Sequence, residues 1–105
     1  MPIHQPTVSW EQLRNYTEKW EWIDPKHGIR TTGFNPPSDA KEKKQKSYYI
    51  RYVTGDGHTE YGEAVTLKVY PTLHQRMIKF TASNEIRRIR DYLVIEVDGV
   101  RFQTH

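Results

Sequence analysis

The most constraining feature of this chain is Asp98-Gly99, set between two runs in which apolar and polar residues alternate. A two-residue hairpin turn needs positive φ at both central positions, which Asp and Gly tolerate best. The turn predicts that Val97 pairs with Val100, Glu96 with Arg101, Ile95 with Phe102 and Val94 with Gln103. One face then collects Leu93, Ile95, Val97, Val100 and Phe102, the expected floor of a core. The other carries Glu96 opposite Arg101, an opposite-charge cross-strand pair worth roughly 0.2–1 kcal/mol. The hairpin fixes a register and a core face and names no reaction.

Similar signals run upstream. Ser9 and Gln12 stand as a capping box, and Val8 and Leu13 as a hydrophobic staple, at the start of a helix over residues 10–17. Trp10, Leu13 and Tyr16 or Thr17 form its expected buried stripe. Alternation and β-forming residues predict strands over 19–23, 29–34, 47–54, 63–70 and 73–80. In 63–70, Val65, Leu67 and Val69 share a face. Turn chemistry separates these runs at 24–28, 55–58 and 70–72. Residues 85–90 read as an irregular or strand-like link into the last hairpin. The expected fold is mainly β: an antiparallel meander or small barrel of about seven strands with one short N-terminal helix. A barrel is favoured because closure hides strand edges.

The length of 105 residues suits a single domain over residues 1–105. Residues 1–8 are expected to be a flexible N-terminus. Residues 35–46, with Pro36, Pro37 and a lysine tract, are expected to be a flexible loop. Only 35% of the chain is hydrophobic, but three Trp, seven Tyr and three Phe can still build a small core. Lys41, Lys43, Lys44 and Lys46 against Glu42 account for the whole net charge of +3, so the basic balance reports one tract. No cysteine is present, which removes disulfides, thiolate nucleophiles and Cys-ligated zinc. The first residues lack a basic region followed by an apolar stretch, and no apolar run approaches the ~20 residues of a membrane helix. The expectation is a cytoplasmic protein with no membrane partner.

Candidate chemistry is sparse. His4, His27, His58, His74 and His105 are scattered without metal-ligand spacing and read as surface or packing residues. Asp24, Asp56, Asp91 and Asp98 stand at turns or strand ends, where Asp bonds the local backbone. Ser9 reads as a cap, and Ser38, Ser47 and Ser83 lack a nucleophile-elbow context. Gly55-Asp56-Gly57 is a hairpin turn, since no helix with Lys and Ser or Thr follows to make a phosphate loop. Two aromatic groups remain. Trp20 and Trp22 share one strand face, and Tyr48 and Tyr52 share another. Such residues line the mouth of a small barrel around an apolar or sugar ligand, or they form a core short of aliphatics. The lysine tract leads into Tyr48-Tyr49-Ile50-Arg51-Tyr52, and Arg87, Arg88 and Arg90 form a second basic group. Cations beside exposed aromatics on a sheet hold single-stranded nucleic acid, phosphates on Lys and Arg and bases by stacking. The bland counterpart is a solvated loop, with the arginines neutralised by Glu85 and Asp91.

The order of landmarks carries a resemblance. Trp20-Glu21-Trp22 is followed by Tyr48-Tyr49-Ile50, then by hairpins, then by Asp91-Tyr92-Leu93-Val94-Ile95 and the Gly99 turn. Across residues 18–103 this pattern resembles small uncharacterised lipocalin-like β-meander families of gut Bacteroidetes, some linked to mobile elements. The compact Gly-Trp opening of those families is missing, and the Pro-Pro and lysine-rich insertion departs from them. The resemblance implies a lipocalin-like meander or barrel. The families carry no agreed active site, so it gives no residue a role.

The sequence therefore points to a non-enzymatic binding or protein-interaction module without cofactor or metal. Its partner is an unidentified protein or small ligand that meets the Tyr48 and Tyr52 sheet face or the barrel mouth near Trp20 and Trp22. The alternative is a single-stranded nucleic-acid-binding protein using Lys41, Lys43, Lys44, Lys46, Tyr49, Arg51, Arg87, Arg88 and Arg90.

Overall fold

The computed structural model describes residues 7–103. A short helix, α1, opens with a 3-10 turn at Trp10–Leu13 and continues as α-helix at Arg14–Thr17. Nine strands follow: β1 Trp20–Ile23, β2 Arg30–Gly33, β3 Lys41–Gln45, β4 Tyr48–Val53, β5 Thr59–Tyr70, β6 Gln75–Phe80, β7 Ile86–Arg90, β8 Val94–Val97 and β9 Val100–Arg101. They form two antiparallel sheets, ordered β2-β1-β3 and β7-β6-β5-β4-β8-β9. The mainly β class and the short N-terminal helix are as expected; the strands number nine, not about seven, and the sheets do not close into a barrel. No helix among the described residues is long and apolar enough to cross a membrane.

The helix start differs from a capping box. The Ser9 hydroxyl accepts from the Glu11 amide at 3.4 Å, while the Gln12 side chain accepts from Asn15 at 2.8 Å. A 3-10 first turn places N2 rather than N3 above the cap, which accounts for the change of partner. The stripe is as expected, with Leu13 and Thr17 buried and Trp10 and Tyr16 half-buried.

The extra strands come from two places. Residues 41–45, expected within a flexible loop, pair with β1 as Lys44 with Glu21 and Gln45 with Trp20. Lys41, Glu42, Lys43 and Lys44 are all exposed. An edge strand wet on both faces accommodates lysine, and lysine there discourages further pairing. Residues 86–90 are a full strand along β6, which puts Ile89 in the core and leaves Ile86 52% exposed on the other face.

The core lies on one face of the six-stranded sheet, under α1. Its members are Leu13, Tyr48, Ile50, Tyr52, Ala64, Ile78, Ile89, Val94, Val97 and Phe102. The terminal turn forms as expected, with φ of 49° at Asp98 and 84° at Gly99, and with Val97 opposite Val100 and Glu96 opposite Arg101. The core face of β8 is different. A bulge in the β4–β8 ladder leaves Ile95 without a partner between Val94 and Glu96. One extra residue breaks the two-residue alternation, so Val94 and Val97 are both fully buried while Ile95 is half-buried. Leu93 belongs to a 3-10 turn rather than the strand.

In β5 Ala64 and Thr66 are buried while Val65 faces outward and Leu67 is 40% exposed; a bulge at Leu67 then turns Val69 inward opposite the buried Arg76, so the expected Val65, Leu67 and Val69 face is split between the two sides of the sheet. The register explains it: Ala64 stands opposite Tyr48, where a small residue leaves room for the ring. The Tyr48 phenol then meets the Thr66 hydroxyl at 2.6 Å. Val8, within the expected flexible N-terminus, bonds both ways to the last strand region, Val8 N–H to Arg101 and Gln103 N–H to Val8. In the remainder of that segment Thr7 is exposed and residues 1–6 lie outside the described residues.

Candidate functional site

Tyr48 and Tyr52 are each 2% exposed and belong to the core. Burial pushes the Tyr48 phenol up to about 12. Burial first, and the charge of Glu60 second, raise the Tyr52 phenol as well. Its hydroxyl donates to Glu60 at 3.1 Å, and its ring stacks on Phe80 at 6.4 Å. Trp20 borders a cleft of about 220 Å³ between α1, the small sheet and β5, with Arg14, Phe34, Gln45 and Lys68 around it. Trp22 borders a different cleft of about 140 Å³. Tyr52 lines a third, of about 330 Å³, with Glu60, Arg87, Ile89 and Leu93. Trp20 and Trp22 thus border separate clefts, and Tyr48 and Tyr52 are core residues of which Tyr52 alone reaches a cleft.

The outward face of the six-stranded sheet is where basic and aromatic residues meet. Residues paired across neighbouring strands share a face. The register sets Tyr49 opposite Glu63, and Arg51 opposite both Tyr61 and Glu96. Arg101 continues that row. On the far side of the sheet, Lys68, Met77 and Arg88 form one row, Tyr70, Gln75 and Arg90 the next, and Val65, Lys79 and Ile86 a third. This face is solvated: Tyr49 and Tyr61 are 50% and 53% exposed. Their rings stack at 6.1 Å with an interplanar angle of 21°.

Cations lie over the rings. The Arg51 guanidinium stands 4.7 Å from the Tyr61 centroid. Arg88 at 4.1 Å and Lys68 at 5.1 Å converge on Tyr70. Among the described residues, Arg51, Lys68, Lys79, Arg88, Arg90 and Arg101 form no ion pair, whereas Arg14, Lys44, Arg76 and Arg87 each have a carboxylate within 4.0 Å. The cations with partners stand off this face, and every cation on it is without one; Lys19, Lys26, Arg30, Lys41, Lys43 and Lys46, elsewhere in the fold, are likewise unpaired among the described residues.

The expected nucleic-acid set divides accordingly. Tyr49, Arg51, Arg88 and Arg90 share the outward face. Arg87 does not: it stands opposite the buried Ile78 and turns inward to Glu60 and Glu85. Strand alternation separates it from Arg88, which counting three arginines as one group overlooked. Lys41, Lys43 and Lys44 belong to the small sheet, where Lys44 approaches Glu21, and Lys46 follows its last strand. Tyr61, Tyr70, Lys68, Lys79 and Arg101 were missed. The turn at 55–58 contained the signal for Tyr61, because counting out from it places Tyr61 opposite Arg51.

Elsewhere the polar groups serve the fold. The Arg76 guanidinium is 3% exposed and is held by Asp91 at 2.8 and 3.3 Å, by Glu18 at 3.2 Å and by the Thr17 hydroxyl. His27 meets Asp24, His58 approaches Asp56 and His74 packs edge-on against Trp10; His4 and His105 lie outside the described residues. Among the described residues there is no group of three or more His, Cys, Asp or Glu able to hold a metal ion. In comparisons with known protein families, curated proteins and solved structures, the chain matches none.

Proposed function

We propose that this chain is a non-enzymatic binding module whose working surface is the outward face of the six-stranded sheet, and that its ligand is an extended polyanion. The observation that carries this reading is the convergence of Arg88 and Lys68 on the single Tyr70 ring, with no carboxylate paired to either among the described residues. Like charges brought together across strands are destabilising. An anion laid over them relieves that repulsion and gains charge-assisted contacts. Arg51, Lys79, Arg90 and Arg101 extend the same sign across the sheet, against Glu63 and Glu96. The spread of the charges over several strands suits a long ligand better than a compact one. The lipocalin-like resemblance contributes no residue to this reading, and the Tyr52 cleft contributes none.

The test is retention on immobilised heparin and on polyglutamate at rising salt. Wild-type protein is expected to be retained, with affinity falling linearly in log–log form against salt as counterions are released. Replacing Lys68 and Arg88 by Glu is expected to abolish retention, while the same exchange at Lys41 and Lys43 costs far less. No retention on either matrix at low salt, or equal losses from both double variants, would overturn the reading.

A further inference from the structure

We infer that the polyanion is single-stranded nucleic acid, its bases stacked on Tyr49, Tyr61 and Tyr70 and its phosphates held by Arg51, Lys68 and Arg88. This deepens the polyanion reading and rests on it.

The tyrosines separate this ligand from other polyanions. Cations alone fit an acidic peptide, a sulfated sugar or a duplex equally well. The half-exposed rings of Tyr49 and Tyr61 and the partly buried ring of Tyr70 on the same face add a second kind of contact, which only unpaired bases use fully. In a duplex the bases stack on one another, and a glutamate chain has no π-face to offer. The hydroxyls point the same way. Inside the fold the Tyr48 phenol bonds Thr66 and the Tyr52 phenol bonds Glu60. Among the described residues no hydrogen bond engages the phenols of Tyr49, Tyr61 or Tyr70, so on this face it is the ring that is presented. The guanidinium groups of Arg51 and Arg88 already stand over two of the rings, 4.7 and 4.1 Å from their centroids. A base entering there takes the place of the guanidinium over the ring and leaves that cation beside it for the adjoining phosphate.

The geometry also suits a strand. Tyr61 and Tyr70 stand at opposite ends of β5, Thr59–Tyr70. Nine residues at about 3.3 Å each separate them by roughly 30 Å, enough for several nucleotides and within the range of about 4–16 held by one small β-domain. Between the two ends stands one carboxylate, Glu63, next to Tyr61 and opposite Tyr49; beyond it the row is apolar and cationic, with Val65 beside Lys79 and Met77 beside Lys68.

The experiment is fluorescence anisotropy with full-length protein and four probes of matched length: labelled oligo(dT) of about twelve nucleotides, an abasic oligodeoxyribose phosphate, a duplex and an oligoglutamate. Oligo(dT) is expected to bind at least about tenfold more tightly than the abasic chain. Tyr61→Ala and Tyr70→Ala should each weaken oligo(dT) roughly five- to a hundredfold while leaving abasic binding within about twofold. The rings act by stacking, so Tyr61→Phe and Tyr70→Phe should restore the affinity. This rescue also excludes a folding defect as the cause of the loss. Arg88→Glu should weaken both flexible phosphate chains and lower the salt slope by about one. Equal affinity for oligo(dT) and the abasic chain, or preference for the duplex or oligoglutamate, overturns the inference and leaves the polyanion reading standing. Failure to bind any of the four probes overturns both.

Discussion

Among single residues, the guanidinium of Arg76 carries the greatest electrostatic tension. It is 3% exposed in the middle of a sheet. Burial works against its charge, but the hydrogen bonds it donates to Asp91 and the fields of Asp91 and Glu18 more than reverse that and raise its pKa. Asp91 is itself 7% exposed and accepts from two of the guanidinium nitrogens. Removing one partner of such a pair leaves the other charged, buried and unmatched, which costs about 3–5 kcal/mol. A small domain has only about 5–15 kcal/mol in all. Asp91→Ala is therefore expected to remove a large share of the stability in urea titrations, because Glu18, farther from the core, bonds just one nitrogen. The double change Arg76→Met with Asp91→Leu is expected to return close to wild type, since an apolar pair of similar volume is often neutral or better. An Asp91→Ala cost below about 1 kcal/mol would mean that water or Glu18 replaces the lost carboxylate. None of this was legible in the sequence, where Arg76 and Asp91 are fifteen positions apart and Asp91 reads as a turn residue.

Elements were legible where turn chemistry and alternation agreed. The Asp98-Gly99 hairpin has the expected register, because positive φ at both positions leaves little choice of turn. The runs at 19–23 and 47–54 are β1 and β4 within a residue or two. Elements were lost where a bulge intervened or where composition was taken for structure. Ile95 and Leu67 both interrupt a ladder, and each moves the core from one set of alternating residues to the next. The lysines of β3 look like a solvated loop because edge strands and loops draw on the same residues. The nucleic-acid candidates were half legible for the same reason: Arg51 and Tyr49 follow from alternation in β4, while their neighbours follow only from pairing. Gly62 in β5 shows how tightly pairing sets the identity of a residue. It stands opposite Ile50, and a Cβ there would lie 2.9 Å from the Phe80 ring. Gly62→Ala is expected to displace that ring from its stack on Tyr52 and cost about 1–3 kcal/mol. Adding Phe80→Leu should recover part of the loss, seen as a positive coupling in a double-mutant cycle. Strict additivity of the two changes would show that the ring does not respond to the methyl group.

At the scale of the whole molecule, the two sheets are unequal. The six-stranded sheet and α1 supply every fully buried apolar residue of the described core except Phe102, which lies just beyond β9. The strands β1 and β2 are at most half-buried, and four of the five residues of β3 are exposed. Side-chain contacts that link the small sheet to the rest are few: the Gln45 amide of β3 donates to the Thr66 carbonyl of β5, and the Arg14 guanidinium of α1 stands 4.8 Å from the centroid of Phe34, just after β2. Segments with few buried apolar contacts open at lower free energy than the core. Amides of β1, β2 and β3 are therefore expected to exchange through local opening, with protection nearly independent of low denaturant. Amides of β4, β5 and β6 should exchange only by global unfolding. Gln45→Ala should speed exchange in the small sheet and leave β4–β6 unchanged; protection in β3 equal to that in β5 would refute the division. The division bears on binding. The outward tyrosines and cations belong to the protected sheet, whereas Lys41, Lys43 and Lys44 ride on the part that opens. A polyanion held by the outward face should thus bind Gln45→Ala as tightly as the wild type, and one held by the lysine strand should not.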